Sequence, residues 1–214
     1  MFPLLAGGAT TSDLVRVDID ERTSAPPSLE FEVDCTALPY AKGEERSFCY
    51  ENGAWAVLRH ECGIVVACSC GEFGGFVLWY STNGALIQTL VAGDVPQTLI
   101  ADKDSLLCVT GLTHLVISMG CIRTFRRSDD RWQEVSSMPL AKQADSIGIE
   151  PDGGILFRFD PDGGLGVEPD GSAVWNRVPN GGVHRYRAGV VEVLPTAAPP
   201  DMAQRRSEGA PDRK

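Results

Sequence analysis

The sequence predicts an all-β protein made of antiparallel meanders, in a propeller-like or sandwich arrangement, with a disordered C-terminal tail. Short runs of β-branched and aromatic residues recur along the chain, and most are bounded by Gly, Asp, Asn or Pro, which favour turns. No long window shows the i, i+3, i+4, i+7 apolar spacing of an amphipathic helix. Many short strands at even spacing are typical of this class.

The predicted strands follow one another along most of the chain. They cover residues 14–19, 29–33, 63–70, 75–80, 85–91, 106–110, 114–119, 121–125, 154–159, 173–178 and 189–194. The best candidate for a helix is the short segment 139–145, PLAKQAD. Residues 1–194 are predicted to form a single domain. Residues 195–214 are rich in Pro, Ala and charge and too poor in apolar residues to pack, so they are predicted to be disordered.

Net charge restricts the partners of the protein. The formal charge is −10, from 19 basic and 29 acidic side chains. An acidic surface is not attracted to nucleic acid or to anionic membranes, and it attracts basic proteins. The N-terminus has no basic residue before its short apolar run, and no apolar stretch is long enough to span a bilayer. We therefore expect a cytoplasmic protein that binds neither nucleic acid nor membranes.

The seven cysteines are predicted to be reduced and mostly buried, because their number is odd and several lie inside apolar runs. A zinc site is the alternative, since the segment HECGIVVACSC contains His60, Cys62, Cys68 and Cys70. The usual Cys-x₂₋₄-Cys spacing is absent, which makes these four residues weak candidates. No phosphate-binding loop or dinucleotide fingerprint is present, so no cofactor is predicted.

A repeat with a period near 50 residues is visible in the middle of the chain. Asn52, Asp104 and Asp152 each lie in a turn that leads into an apolar strand, and the steps between them are 52 and 48 residues. Each unit also contains a tryptophan followed by a polar turn, at positions 79, 132 and 175. From Tyr50 to Gly182 this pattern resembles the kelch and WD-type β-propeller repeats, although their double-Gly and Trp-Asp signatures are missing. The resemblance implies four-stranded blades, with the ring completed by the chain ends or by a second chain.

Three Pro-Asp-Gly tripeptides, each preceded by an acidic residue, lie between residues 150 and 171. Pro presets φ, Asp caps its own backbone and Gly accepts positive φ, so these tripeptides predict hairpin turns. A calcium loop is disfavoured because the closing Glu is missing. The turns are predicted to form an acidic rim that attracts a basic partner, and its candidate binding residues are Asp152, Asp160, Asp162 and Asp170.

Two basic clusters, residues 121–132 and residues 184–187 with Arg185 and Arg187, combine arginine with aromatic residues, which are enriched at the centres of protein interfaces. Their candidate partner-binding residues are Arg126, Arg127, Trp132 and Tyr186. The favoured alternative for the first cluster is pairing of its arginines with Asp129 and Asp130 at a turn.

No motif of an active site is recognisable, so no catalytic residue is predicted. The first hypothesis is a non-enzymatic protein-binding module, of the inhibitor or immunity-protein type, that caps a basic partner. One alternative is an enzyme or metal-binding protein with a His/Cys site in a central groove, where His114 would join the four zinc candidates. Another is a structural β protein that completes its fold by forming a homo-oligomer.

Overall fold

The computed structural model confirms the all-β class. It describes residues 14–19, 28–31, 33, 53–114, 117–140, 142–159, 164–167, 173–176, 182–187 and 189–194. Within these ranges the helical structure is limited to the single 3₁₀ turn Gly71–Phe73, and no helix is long and apolar enough to cross a membrane. The predicted tail, residues 195–214, lies outside the described residues.

The first sheet is an antiparallel meander of four strands in chain order. Its strands are β2 (Ala54–His60), β3 (Gly63–Ser69), β4 (Gly75–Tyr80) and β5 (Leu86–Ala92). The tight β2–β3 hairpin pairs His60 with Gly63. Gly63 is required there, because a Cβ atom would lie 2.2 Å from the Tyr80 carbonyl oxygen.

The central sheet contains a second meander, to which three further strands are added. The meander consists of β6 (Pro96–Ala101), β7 (Ser105–His114), β8 (Ile117–Ser128) and β9 (Arg131–Leu140). Antiparallel strand β1 (Val15–Asp18) extends the sheet beside β6. The hairpin of β12 (Gly164–Val167) and β13 (Ala173–Asn176) joins it through a short parallel contact between β12 and β8.

The last sheet is also a four-stranded antiparallel meander. Its strands are β10 (Ser146–Ile149), β11 (Ile155–Arg158), β14 (Val183–Arg187) and β15 (Val190–Leu194). The chain leaves this sheet after β11 to form β12 and β13 in the central sheet, and it returns with β14.

The three sheets are stacked, and the central sheet is buried on both faces. Along β7, Leu106 and Cys108 pack against the first sheet, whereas Leu107 and Val109 pack against the last sheet. Successive side chains of a strand point to opposite faces, so a strand between two layers is apolar throughout. The outer face of the first sheet packs against Leu29, Phe31 and Val33.

Three local predictions were wrong. Segment 29–33, predicted as a strand, is not a strand at its described residues 29–31 and 33. Segment 139–145 is not helical where it is described: Pro139 and Leu140 end β9, and residues 142–145 form an irregular connection. Pro139 is compatible with this position because β9 lies at an edge of its sheet. Segment 114–119 is not one strand, since β7 ends at His114, β8 begins at Ile117 and these two residues pair across a hairpin.

The tryptophans of the proposed repeat occupy different positions in their meanders. Trp79 lies on the third strand of the first meander, and Trp132 lies on the fourth strand of the second. Asn52 lies outside the described residues. The three successive meanders agree with the predicted antiparallel architecture, and the resemblance to propeller repeats stays a prediction.

Candidate functional site

Three hairpin turns from two sheets meet at one end of the molecule. They are the β2–β3 turn (Glu61–Cys62), the β6–β7 turn (Asp102–Asp104) and the β8–β9 turn (Asp129–Asp130), and we refer to them as the three-turn surface. The first turn belongs to the first sheet and the other two belong to the central sheet. Their proximity follows from the contacts of two residues, Arg127 and His60.

Arg127 contacts all three turns. Its backbone N–H donates to the Asp104 carbonyl at 2.9 Å, and its Nε donates to the Asp129 carbonyl at 3.3 Å. Its Nη1 lies 3.4 Å from Oε1 of Glu61 in the neighbouring sheet. Arg127 does not form the predicted alternative pair with the carboxylates of Asp129 and Asp130. Its side chain contacts the Asp129 backbone and Glu61 instead. Arg127 holds the candidate surface together, and its contact with a partner stays a prediction.

His60 forms a second connection between the two sheets. Its Nε2 donates to the carbonyl oxygens of Asp102 (3.2 Å) and Lys103 (3.1 Å), and its Nδ1 accepts the N–H of Cys62 at 3.4 Å. Carbonyl oxygens only accept, so this network assigns the proton to Nε2 and leaves the Nδ1 lone pair occupied. In this arrangement neither ring nitrogen is available to a metal.

Beneath the three-turn surface lies an aromatic cluster. The His60 ring meets Trp132 at a centroid distance of 5.4 Å and Trp79 at 6.2 Å, both edge to face. The Gln88 side chain reaches across from the first sheet and forms two hydrogen bonds with the backbone of Trp132, at 2.8 and 3.1 Å. Trp132 is only 2% exposed. The prediction that its side chain contacts a partner therefore needs correction, because it is packed in the core.

The four zinc candidates do not form one cluster. His60 ends β2 and Cys62 lies in the β2–β3 turn, whereas Cys68 and Cys70 lie at the far end of β3. Six residues of extended strand separate Cys62 from Cys68 by roughly 20 Å. Among the described residues there is no group of three metal-binding side chains.

The cysteines are not all reduced, contrary to the prediction. Cys70 is disulfide-bonded, and the described cysteines that form no disulfide are Cys62, Cys68, Cys108 and Cys121. Burial has the largest effect on Cys108, and it raises the pKa of this thiol far above its usual range. Cys108 is therefore a packing residue and not a nucleophile.

The predicted acidic rim and the predicted basic cluster pair with each other in the last sheet. Arg185 forms a two-pronged ion pair with Glu150, with both N–O distances 2.6 Å, and Arg187 pairs with Asp152. The hydrogen bond from Arg187 holds the pKa of the Asp152 carboxyl below its usual range. The charge of Asp152 is thus partly neutralised within the chain. Asp160, Asp162 and Asp170 lie outside the described residues.

The two remaining candidates lie on strands of different sheets. Tyr186 on β14 is 2% exposed, and its hydroxyl lies 3.4 Å from that of Thr124 in the central sheet. Its role as a surface contact needs the same correction as that of Trp132. Arg126 is half-buried on β8, in register with Ser105 and Gln133.

Sequence reasoning did not bring the three turns together into one surface, and it missed three of their residues. Glu61, Asp102 and Lys103 lie in hairpin turns without Pro-Asp-Gly, so the search for acidic turns passed over them. The sequence feature that could have identified this surface is a short polar segment between two apolar strands, which occurs at three places.

Comparison with known proteins does not assign the chain to a family. No protein-family model, no curated protein and no solved structure matches it.

Proposed function

We propose that this protein is a non-enzymatic binding module that uses the three-turn surface to bind a basic protein. The observation that carries the proposal is the charge of that surface. Four carboxylates, those of Glu61, Asp104, Asp129 and Asp130, are exposed there, against two exposed cations, Lys103 and Arg131. The formal charge of −10 adds a long-range attraction to a positively charged partner.

The hydrogen bonds that hold the three turns in place also favour binding. The turns are short, and they are anchored by the hydrogen bonds of His60 and Arg127. A surface that is already ordered loses less conformational entropy when a partner binds. The three-turn surface thus combines accessible charge with a preorganised backbone.

The finer proposal is that the module caps its partner, as an inhibitor or an immunity-type protein does, and acts in the cytoplasm. A propeller-like arrangement of the three meanders belongs to the same proposal. Hairpin turns at one end of stacked sheets are suited to such a role, because a scaffold of buried strands positions them.

The test is affinity capture from a lysate of the source organism with the purified chain, at low and at high salt, read by mass spectrometry. We expect one basic protein to be captured at low salt and largely lost at high salt. The double variant Asp129→Asn/Asp130→Asn removes two exposed charges and is expected to weaken this capture severalfold.

The matched control is Glu30→Gln/Glu192→Gln, which makes the same change in net charge on residues outside the three-turn surface. It is expected to retain the partner. Equal loss with both double variants would reject the three-turn surface as the binding site, and capture that resists high salt would reject the charge-guided mechanism. Recovery of the chain itself as the captured protein would favour the oligomeric alternative.

A further inference from the structure

A polar cavity of about 330 Å³ lies where all three sheets approach one another. It is bounded by strand β1, by the start of β6, by the connection from β9 to β10 and by Ser69 at the end of β3. Pro96 begins β6 and Ala101 ends it beside the three-turn surface. The cavity is therefore at the opposite end of β6 and forms a separate site. Its volume is within the range of small-ligand pockets.

The charges that line the cavity leave one carboxylate unpaired. Arg16 is bound to Asp18, with Nη2 2.8 Å and Nε 2.9 Å from the same carboxylate oxygen, Oδ1. Asp145, whose backbone N–H bonds to the Arg158 carbonyl, has an exposed carboxylate without an ion pair to any described residue. Among the described lining residues the net charge is therefore −1, carried by Asp145.

Asp18 has one carboxylate oxygen at the cavity without a hydrogen-bond partner among the described residues. Oδ1 of Asp18 also accepts the Thr98 hydroxyl at 2.7 Å, and Oδ2 has no bond to the described residues. The Gln97 amide is already occupied at the cavity wall, where it donates to the Ala144 carbonyl at 3.2 Å. The carboxylates of Asp18 and Asp145 favour a ligand that donates hydrogen bonds and is positively charged.

The rest of the wall is apolar. Five apolar side chains line it, those of Ile19, Val95, Pro96, Ala144 and Ile147. A cationic head with a short methylene stem satisfies both parts of this lining, because the stem covers apolar surface while the head reaches the acceptors. A hydrated metal ion leaves the apolar wall unused, and an anion is repelled by Asp145.

We propose that this cavity binds a primary ammonium group on a short aliphatic stem. A lysine side chain of another protein and a free aliphatic amine both carry this group. The inference is independent of the proposed function, since it concerns a different set of residues at the other end of β6.

The test is a titration of the full chain, followed by amide chemical shifts in two-dimensional NMR spectra. The probes are Nα-acetyl-lysine methylamide, its uncharged counterpart Nα-acetyl-norleucine methylamide, and putrescine. We expect saturable shifts with the lysine derivative, confined to β1, the start of β6 and residues 143–147, with a dissociation constant on the order of millimolar. The norleucine derivative is expected to produce none.

Asp145→Asn is expected to weaken this binding at least about fivefold, because the one unpaired carboxylate is lost. Asp130→Asn makes the same change of charge on the three-turn surface and is expected to leave it unchanged. Thermal midpoints of both variants check that they are folded. Equal binding of the norleucine derivative, no binding of either amine, or no effect of Asp145→Asn would overturn the proposal.

A comparison of the affinities for putrescine and for the lysine derivative distinguishes the two sources of the ammonium group. Binding of the lysine derivative at least as tightly as putrescine supports a protein side chain as the ligand. Binding of putrescine alone supports a free amine. A positive titration combined with failed capture from lysate rejects the proposed function and keeps the amine site, and the reverse result rejects only the amine site.

Discussion

Trp79 and Trp132 meet edge to face across the boundary between the first and the central sheet, with ring centroids 5.8 Å apart and planes at 87°. The two residues are 53 positions apart in sequence. Both indoles are buried in the core that joins the two sheets, and neither indole N–H has a hydrogen-bond partner. Their packing, not their polar groups, therefore contributes to the docking of the sheets.

Truncation of Trp132 is expected to destabilise the fold. Trp132→Ala removes a buried aromatic side chain and its contacts with Trp79 and His60, and we expect a loss of about 3 to 5 kcal/mol in the free energy of unfolding. Urea denaturation measures it. The control on the same strand is Val135→Ala, where the side chain is 49% exposed and a change below about 0.5 kcal/mol is expected. Similar losses for both variants would contradict the assignment of Trp132 to the core.

Substitution of Gly63 is expected to disrupt the β2–β3 hairpin. An added Cβ atom would lie 2.2 Å from the Tyr80 carbonyl oxygen and 2.6 Å from the Trp79 ring, so Gly63→Ala should cost more than about 2 kcal/mol. Gly148→Ala is the control, because its nearest new contact is an ordinary 3.8 Å. Thermal unfolding compares the two variants, and an unchanged midpoint for Gly63→Ala would disprove the close approach.

The free energy of unfolding is expected to decrease as the pH is lowered, because His184 gains a proton. Its ring packs edge to face on Phe159 at 4.8 Å, its Nε2 is buried without a hydrogen-bond partner, and burial lowers its pKa. The unfolded chain then binds the proton more readily than the folded chain. Stability is full above the ordinary histidine pKa of about 6.5 and decreases as pH falls through the lowered folded value.

Denaturation between pH 8 and pH 5, for the native chain and for His184→Leu, tests this expectation. The variant should lose this part of the pH dependence. Asp152 provides an internal comparison, because the hydrogen bond from Arg187 lowers the pKa of its carboxyl. The contribution of Asp152 to stability is therefore lost only at more acidic pH, below about 4. An unchanged pH profile in His184→Leu would contradict the prediction.

Thiol reactivity is expected to follow burial. Cys108 is fully buried and its pKa is raised, so it should remain unmodified in the native protein. Cys62 and Cys121 are half-buried and should react first. Timed alkylation followed by peptide mass mapping gives the order, and complete labelling in denaturant is the control. Labelling of Cys108 as fast as Cys62 would show that the core between the first two sheets opens readily.

Loss of the Arg123 ion pairs is expected to cause a moderate loss of stability. The guanidinium of Arg123 donates to Asp94 at 2.7 and 2.9 Å and to Glu134 at 3.1 and 3.3 Å, which links the β5–β6 connection to β8 and β9. We expect Arg123→Met to cost about 1 to 2 kcal/mol, and less at high salt, because the group is partly solvated. Arg131→Met, at an exposed position, should have little effect in the same urea titration.

Local sequence patterns predicted the positions of the strands better than they predicted which segments pair or pack together. The apolar runs in β4, β7 and β11 were all predicted as strands, since alternation and β-branched residues are local signals. The hairpin between His114 and Ile117 was missed because both of its arms are apolar and its loop contains neither Gly nor Pro. Of the candidate binding residues, Arg127 lies at the three-turn surface, whereas Trp132 and Tyr186 are buried.

The sequence by itself determined the all-β class, turns marked by Gly, Asp or Pro such as the one before β11, and the excess of acidic charge, because turn propensity, alternation and composition are properties of short segments. Only the tertiary structure decided which charged and polar groups neutralise one another. Glu150 and Arg185 are 35 positions apart and form an ion pair, and His60 donates to carbonyl oxygens more than 40 residues away. Ion pairs and hydrogen bonds depend on distances in space between atoms of different sheets. Those distances follow from how the three meanders stack, and no local pattern in the chain encodes that stacking.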